Sequence, residues 1–328
     1  MILDSSPLNI EKASKLLCAG GVVAFPTETV YGLGADATNE DAVRKIFEIK
    51  KRPSYDPLIV HFYSPEQILE FVDLSNSIVQ NNFQKLKAFW PGPLSLVLPL
   101  KSGIAPSVTS GLFTVAVRIP RHAVALALLK AVNIPLAAPS ANQFSYVSPT
   151  TALHVQDSLG KNLEIIIDGG ACQVGLESTV LSLVTDSPTI LRPGGISQEE
   201  IEKLIGPVQL FKKHPTKSEE KSFASPGMLD KHYSPLTRLA FIDSLSVTNY
   251  PAKVALIRFN DLNQIPKFSY QKIITLSESN NLEEIAAKLY ESIREVDKLD
   301  LDLILVDSCN SDGLGQAIMD RVTRAIHT

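Results

Sequence analysis

One pattern recurs through the first two hundred residues: a short apolar run, a polar residue at its end, then a segment with helical spacing of its apolar positions. Runs this short and rich in β-branched residues read as strands. They are Val22–Phe25, Leu58–Phe62, Leu94–Leu98, Val115–Ile119, Ile134–Ala138, Ile165–Asp168, Thr179–Val184 and Thr189–Leu191. Between them, Asn9 is expected to cap a helix that buries Ile10, Ala13, Leu16 and Leu17 and stops at Gly20-Gly21. Asn39 opens a second helix with Glu40 and Asp41 in its first turn and Val43, Ile46 and Phe47 facing inward. Ser148–Leu159 reads as a third, with Ser148 as cap and Pro149 at the first helical position. Ser197-Gln-Glu-Glu200 is a capping box for a last short helix ending at Gly206. Alternation of this kind demands an α/β architecture with helices packed on a sheet.

The texture then changes. From about Pro207 the chain is polar, charged and punctuated by Pro and Gly, as in KKHPTKSEEKSFASPG, which reads as a linker. Beyond it Lys253–Phe259, Lys272–Leu276 and Leu303–Asp307 read as strands and Asn281–Val296 and Gly315–His327 as helices, a small parallel α/β unit. A length of 328 residues suits two moderate domains. The expected division is 1–206, a linker at 207–237, and 238–328. A net charge of −4 excludes a generally polyanion-binding surface, so any tRNA or double-stranded RNA contact would need a local basic patch. Cys18, Cys172 and Cys309 stand singly, without the spacing of a metal site or a disulfide framework. The N-terminal MILDSSPLNIEKASKLL has no basic-then-apolar run, and the most apolar stretch, Ala123–Ala138, is interrupted by Lys130, Asn133 and Pro135. A cytoplasmic protein with no membrane partner is the expectation.

Chemistry-bearing residues cluster where strands end. Thr27, Glu28 and Thr29 follow VVAF, His61 ends LIV, and Arg118 lies in TVAVRIP. Ser140 and Asn142 follow PLAAP, Ser178 follows GLE, and Arg192 follows TIL. Ligands of α/β sheets bind in the crevice at strand ends, so the set points to a site collectively. Singly, each has a plainer role: a turn hydroxyl, a structural histidine, a strand-surface arginine. Lys50-Lys51-Arg52 at a helix C-terminus could equally serve the macrodipole or clamp a phosphate. There is no GxxxxGK[ST] loop, GxGxxG turn, GxSxG elbow or HExxH helix, so a nucleotide would have to be held another way.

Taken in order, FPTETVYGLGADA, KKRPSYDPLIVH, WPGPLSLVLPL, TVAVRIP, PLAAPSAN, SPTTALHV, IIDGG, GLESTV and ILRPGGIS resemble the Sua5/YrdC family, the threonylcarbamoyl-AMP synthases. SPGMLDKHYSP and the tail ending GLGQAIMDR are similar to its two-domain Sua5 branch. The resemblance implies a twisted, open mixed sheet with a concave cavity plus a small Rossmann-like α/β domain. It implies synthesis of threonylcarbamoyl-AMP and pyrophosphate from L-threonine, bicarbonate and ATP, with Mg²⁺ carried by the nucleotide and no protein-bound metal. A downstream transfer machinery then modifies adenosine 37 of tRNA. By the family's KxR and SxN motifs, Lys50 and Arg52 are implied catalytic residues. ATP is implied to meet Lys50, Arg52, Asp56, Thr114, Ser140, Asn142, Ser148, Arg192, His232 and Tyr233, and L-threonine to meet Thr29, His61, Arg118, Ala138 and Ser178. The linker's His232-Tyr233 is implied to cover the cavity. The chain departs from the family at Asp56, where Asn is usual, in the loop Gln143-Phe144-Ser145-Tyr146, and in HYSP for HYAP.

Two other readings remain open on the sequence: a carbamoyltransferase of the same fold, and a non-catalytic double-stranded RNA-binding module. The first lacks here the cysteine clusters of its larger relatives; the second has no need of His61, Arg118 and Ser178 at strand ends.

Overall fold

The computed structural model describes residues 1–185, 187–211, 232–261 and 265–326. Its first elements are β1 (Ile2–Asp4), α1 (Pro7–Cys18), β2 (Val23–Phe25), β3 (Gly32–Asp36), α2 (Glu40–Lys50), β4 (Ile59–His61), α3 (Pro65–Ile68) and α4 (Ser77–Leu86). There follow β5 (Leu94–Pro99), α5 (Pro106–Thr109), β6 (Thr114–Arg118), α6 (Ala123–Val132), β7 (Leu136–Ala137), α7 (Ala152–Leu159), β8 (Ile165–Asp168), β9 (Thr179–Ser182), β10 (Thr189–Arg192), α8 (Gln198–Ile205) and β11 (Gln209–Leu210). These strands make one mixed sheet in the order β1-β8-β2-β3-β7-β4-β6-β5-β9-β10-β11.

Strand alternation sends side chains to the two faces, and the packing follows it. Val22, Ala24, Val60, Leu96, Val117 and Leu181 face a large core shared with α2, α4, α7 and α8. Val23, Phe25, Leu136 and Ile167 face the other way, under α1 and α6. Those two helices cover only one half of that second face. Over the other half Ile59, Val97, Ala116, Val180 and Leu191 form a small apolar floor of their own. This half-face, buried without α1 or α6 over it, holds the crevice that the alternating pattern could not reveal.

Four local expectations are corrected. The first helix begins at Pro7, not at Asn9, because Pro7 takes a first-turn position where its missing N–H costs nothing; the Asn9 amide donates instead to Asp4. The third helix is capped by Thr151, whose hydroxyl accepts from the His154 N–H, while Ser148 is drawn inward to Glu177. Gly32–Asp36, absent from the expected strands, is strand β3, paired with Phe25 through Val23. Gln209–Leu210, inside the segment that reads as linker, pairs in parallel with β10. The Asn39 cap and the Ser197 capping box form as expected. Residues 212–231, including the SPGMLDK part of the linker motif, lie outside the described residues.

The second unit comprises β12 (Leu239–Phe241), β13 (Val254–Arg258), β14 (Lys272–Thr275), α9 (Leu282–Asp297), β15 (Leu303–Val306) and α10 (Leu314–Ile326). Its strands are all parallel, ordered β12-β15-β13-β14. One face buries Ala255, Ile257, Ile304 and Val306 against α9 and α10. The same cluster takes in Val30, Val147 and Leu176 from the first unit, so the two helices lie between the sheets. At Gly175 (φ +73°) a Cβ would come within 2.5 Å of the α9 backbone at Ala286 and Ala287, so glycine is what allows that approach. Among the described residues no helix is long and apolar enough to cross a membrane.

Candidate active site

A crevice opens over this floor at Ile59. Its polar rim follows from the same alternation. His61 lies two residues beyond Ile59, Arg118 two beyond Ala116, and Ser178 two before Val180, so each shares its face with a floor residue. Register places His61 directly beside Arg118 on the parallel pair β4 and β6. Arg192 reaches the same space by another device: the β9–β10 register shifts between Ile190 and Arg192, and such a bulge re-aims the side chain that follows.

The rim carries three buried guanidiniums. Arg118 faces the Glu28 carboxylate, Nη2 to Oε1 at 2.8 Å, and Glu28 is fully buried. The contact lacks hydrogen-bond alignment, so charge rather than a directed bond holds the pair. Arg52 donates to the Asp56 and Pro57 carbonyls at 3.0 and 2.9 Å and pairs with the Asp56 carboxylate at 2.9 Å. The departure to Asp at position 56 is thereby matched by a cation. Arg192 donates to the Ser178 carbonyl at 3.2 and 3.0 Å and to its hydroxyl at 3.2 Å. Ser178 is also joined to Ser95 at 2.8 Å, and Thr29 to Thr27 at 2.8 Å. Burial and the neighbouring Arg118 push the His61 imidazole down to about 3, so this ring is neutral.

Thr29, Arg52, His61, Arg118, Ala138, Ser140, Ser178, Arg192, His232 and Tyr233 thus line one crevice. Lys50, Asp56, Asn142 and Ser148 do not; they form the buried layer behind it. The Lys50 ammonium donates to the Ser140 and Asn142 carbonyls at 2.5 and 2.6 Å, and the Phe144 N–H to the Lys50 carbonyl, so Lys50 pins the loop that carries Ser140. Burial first, and then Arg52, hold its pKa well below the usual lysine value. Asn142 donates to the Gln143 and Tyr146 carbonyls. Thr114 is at the opposite end of β6 from Arg118, about 13 Å away along an extended strand, and does not line the crevice.

His232 and Tyr233 line the crevice from the segment before β12. Both are buried, and neither His232 Nδ1 nor the Tyr233 hydroxyl has a hydrogen-bond partner among the described residues. Burial, with Arg52, Lys50 and Arg192 nearby, keeps the His232 ring neutral. Three residues of this neighbourhood escaped the sequence reading: Glu177, Tyr290 and Arg321. Signals existed. Glu177 is a carboxylate directly before Ser178 in an apolar run, and Arg321 stands on the apolar face of α10 beside Ile318, Val322 and Ala325.

Residues 15–194 match the Sua5/YciO/YrdC family model, described as "Telomere recombination", and the chain belongs to that family. Residues 196–326 match the model described as "Threonylcarbamoyl-AMP synthase, C-terminal domain". Threonylcarbamoyl-AMP synthase of Bacillus subtilis (strain 168) is 41% identical over 333 residues, covering 98% of this chain and 94% of the relative. The protein of that name from Pyrococcus abyssi is 41% identical over 322 residues, covering 96% and 93%. The crystal structure of P. abyssi Sua5 complexed with L-threonine superposes with a TM-score of 0.88 at 36% identity, over 99% of this chain and 97% of that one.

Proposed function

We propose that this chain is an L-threonylcarbamoyladenylate synthase, a cytoplasmic nucleotidyltransferase that converts L-threonine, bicarbonate and ATP into threonylcarbamoyl-AMP, pyrophosphate and water. The observation that carries the reading is the convergence of Arg118, Arg52 and Arg192 with Thr29, Ser178 and a neutral His61 in one crevice. One guanidinium fork suits an amino-acid carboxylate, and the other two suit a polyphosphate. Small hydroxyls around a substrate hydroxyl favour threonine over an apolar isostere, whose binding would leave them unpaired.

In this reading Arg118 takes the threonine carboxylate from its pairing with Glu28, and Thr29 and Ser178 meet the side chain and amine. The amine captures bicarbonate as a carbamate. A carbamate oxygen attacks the α-phosphorus of ATP in line, and pyrophosphate departs. Mg²⁺ comes with the nucleotide as part of the substrate. Arg52 and Arg192 offset charge on the phosphates, and Lys50 acts through the Ser140 loop that it holds. Asp56 orients Arg52, Asn142 and Ser148 brace the loops behind the rim, and Thr114 stays outside this set. His232 and Tyr233 shield the labile mixed anhydride from water. A downstream enzyme then moves the threonylcarbamoyl group to tRNA. The test is pyrophosphate release from purified protein with each substrate omitted in turn. Release must require both L-threonine and bicarbonate; release without either would sink the assignment.

A further inference from the structure

Two side chains of the second domain that the proposed chemistry does not use, Arg321 and Tyr290, bond to the crevice-lining Glu177 from behind. Arg321 on α10 donates from Nε to Glu177 Oε2 at 2.7 Å and from Nη2 to the Pro193 carbonyl at 2.9 Å. Glu177 precedes Ser178, and Pro193 follows Arg192, so one guanidinium ties together the neighbours of two rim residues. Tyr290 on α9 donates to the same Glu177 oxygen at 3.0 Å, while Oε1 accepts from Ser148 at 2.6 Å. The Tyr233 ring is held from two sides: Tyr290 stacks on it at 5.8 Å and 25°, and the Arg321 guanidinium lies 5.0 Å from its centroid. Tyr233 itself adopts φ +65°, a left-handed conformation that a bulky residue keeps only when its surroundings impose it.

We propose that Glu177, Tyr290 and Arg321 are positioning residues, a clasp through which the second domain sets the Ser178–Arg192 rim and keeps Tyr233 closed over the crevice. The inference rests on the synthase reading only for what the crevice binds. A buried arginine–glutamate pair is a poor way to gain stability alone, since an apolar pair of similar volume does as well without the loss of hydration. What the ionic pair adds is direction: two nitrogens of a rigid fork fix two separate loops at once. Positioning also explains why Arg321 meets main chain on one side and an aromatic face on the other.

The experiment uses the full chain with Arg321→Met, Glu177→Gln, and the two combined. Among the described residues, Arg321→Met leaves the Glu177 carboxylate buried with only the Ser148 and Tyr290 hydroxyls, and Glu177→Gln leaves Arg321 with Asp320 as its one carboxylate. Each change therefore lowers the melting temperature, and the combination restores it toward the parent. If the clasp positions the site, the restored double variant still shows a KM for L-threonine raised about tenfold, with kcat changed less. Amide exchange at 232–234 is faster by a similar factor without any substrate. Parental KM and parental exchange in a variant of parental stability would overturn the clasp. Should the double variant not regain stability, Tyr290→Phe, which loses a single hydroxyl, is read the same way: faster exchange and raised KM support the clasp, and neither overturns it. If the parent releases no threonine-dependent pyrophosphate, the synthase reading fails, while exchange at 232–234 still judges the clasp.

Discussion

Both sheets of this molecule end their strands in buried polar residues, yet only one of the two edges is equipped for chemistry. In the second domain Asn260, Ser277 and Asp307 follow β13, β14 and β15 and are buried. Their bonding is internal: Asp307 accepts from the Phe259 N–H, Asn260 donates to Asn280, and Ser277 accepts from the Asn281 N–H. At the first sheet the strand ends are cationic, and polar atoms of Arg118, Glu28, His232 and Tyr233 lack hydrogen-bond partners among the described residues. A strand-end position is therefore an opportunity. Unsatisfied, charged hydrogen-bonding capacity is what distinguishes a site from a well-finished turn.

The sharpest way to break that contrast is to exchange charge at matched positions. Arg118→Lys keeps a cation beside Glu28 but removes the planar fork, so kcat/KM for L-threonine is expected to fall about a hundredfold with little loss of fold. Asp307→Asn keeps an acceptor for Phe259 and should leave the same constant within about twofold, a change of under 0.5 kcal/mol. Steady-state kinetics on both variants decide it, and a large loss in the second would mean that the quiet edge takes part. Lys50→Met comes next in size. It strips the donor from two buried carbonyls, at about 1–3 kcal/mol each, so the denaturation midpoint should drop together with kcat. Unchanged stability with weakened ATP binding would instead place the Lys50 amine on phosphate.

Which parts of this were legible in the sequence follows from the range of the interactions that make them. Caps formed by Asn39 and Ser197 use partners two and three residues away, and the sequence shows both sides of each bond. The crevice rim was legible as a set because His61, Arg118, Ser178 and Arg192 each directly continue or end an apolar run. Strand β3 was hidden because Gly32 and Gly34 give it no strand propensity; its place depends on Phe25, whose ring occupies the space that a Cβ at Gly34 would need. For Lys50 the sequence leaves helix dipole and phosphate clamp open, and its carbonyl partners, ninety residues on at Ser140, have no local signature. The Glu177–Arg321 tie spans 144 residues and two domains, and a spacing of that order carries no local signature.

Glycines supply a milder comparison. Gly175 and Gly111 both adopt positive φ, +73° and +79°, but only Gly175 faces another backbone. Gly111→Ala meets open space and should cost roughly 1 kcal/mol of left-handed strain. Gly175→Ala adds a collision with α9 and should cost about 2–3 kcal/mol more, because packed backbone cannot give way as a flexible side chain can. Equal costs, measured by chemical denaturation, would mean that the second domain lies less closely on the first than this contact implies.

The smallest effect is one of pH, and it returns to the two strand edges with opposite signs. His61, held near 3, stays neutral in the fold while an unfolded histidine takes up a proton below about 6.5. The unfolded chain then binds more protons, so His61 contributes a loss of stability that grows as pH falls from 6.5 towards 3. Asp307 is shifted the other way, raised by burial above its ordinary value. There the folded chain binds the proton more tightly, so stability from this group increases as pH falls towards the ordinary aspartate value. The only tryptophan, Trp90, reports on the first domain, and amide exchange in β13 and β15 reports on the second. Between pH 7 and 4 the Trp90 transition should weaken less in His61→Gln than in the parent. Over the same range Asp307→Asn should be at its greatest advantage over the parent near neutrality, with that advantage fading as the solution is acidified. Burial is the first cause of both shifts, and it disfavours a cation in one case and an anion in the other. A shared sign would therefore contradict the burial of one of the two groups.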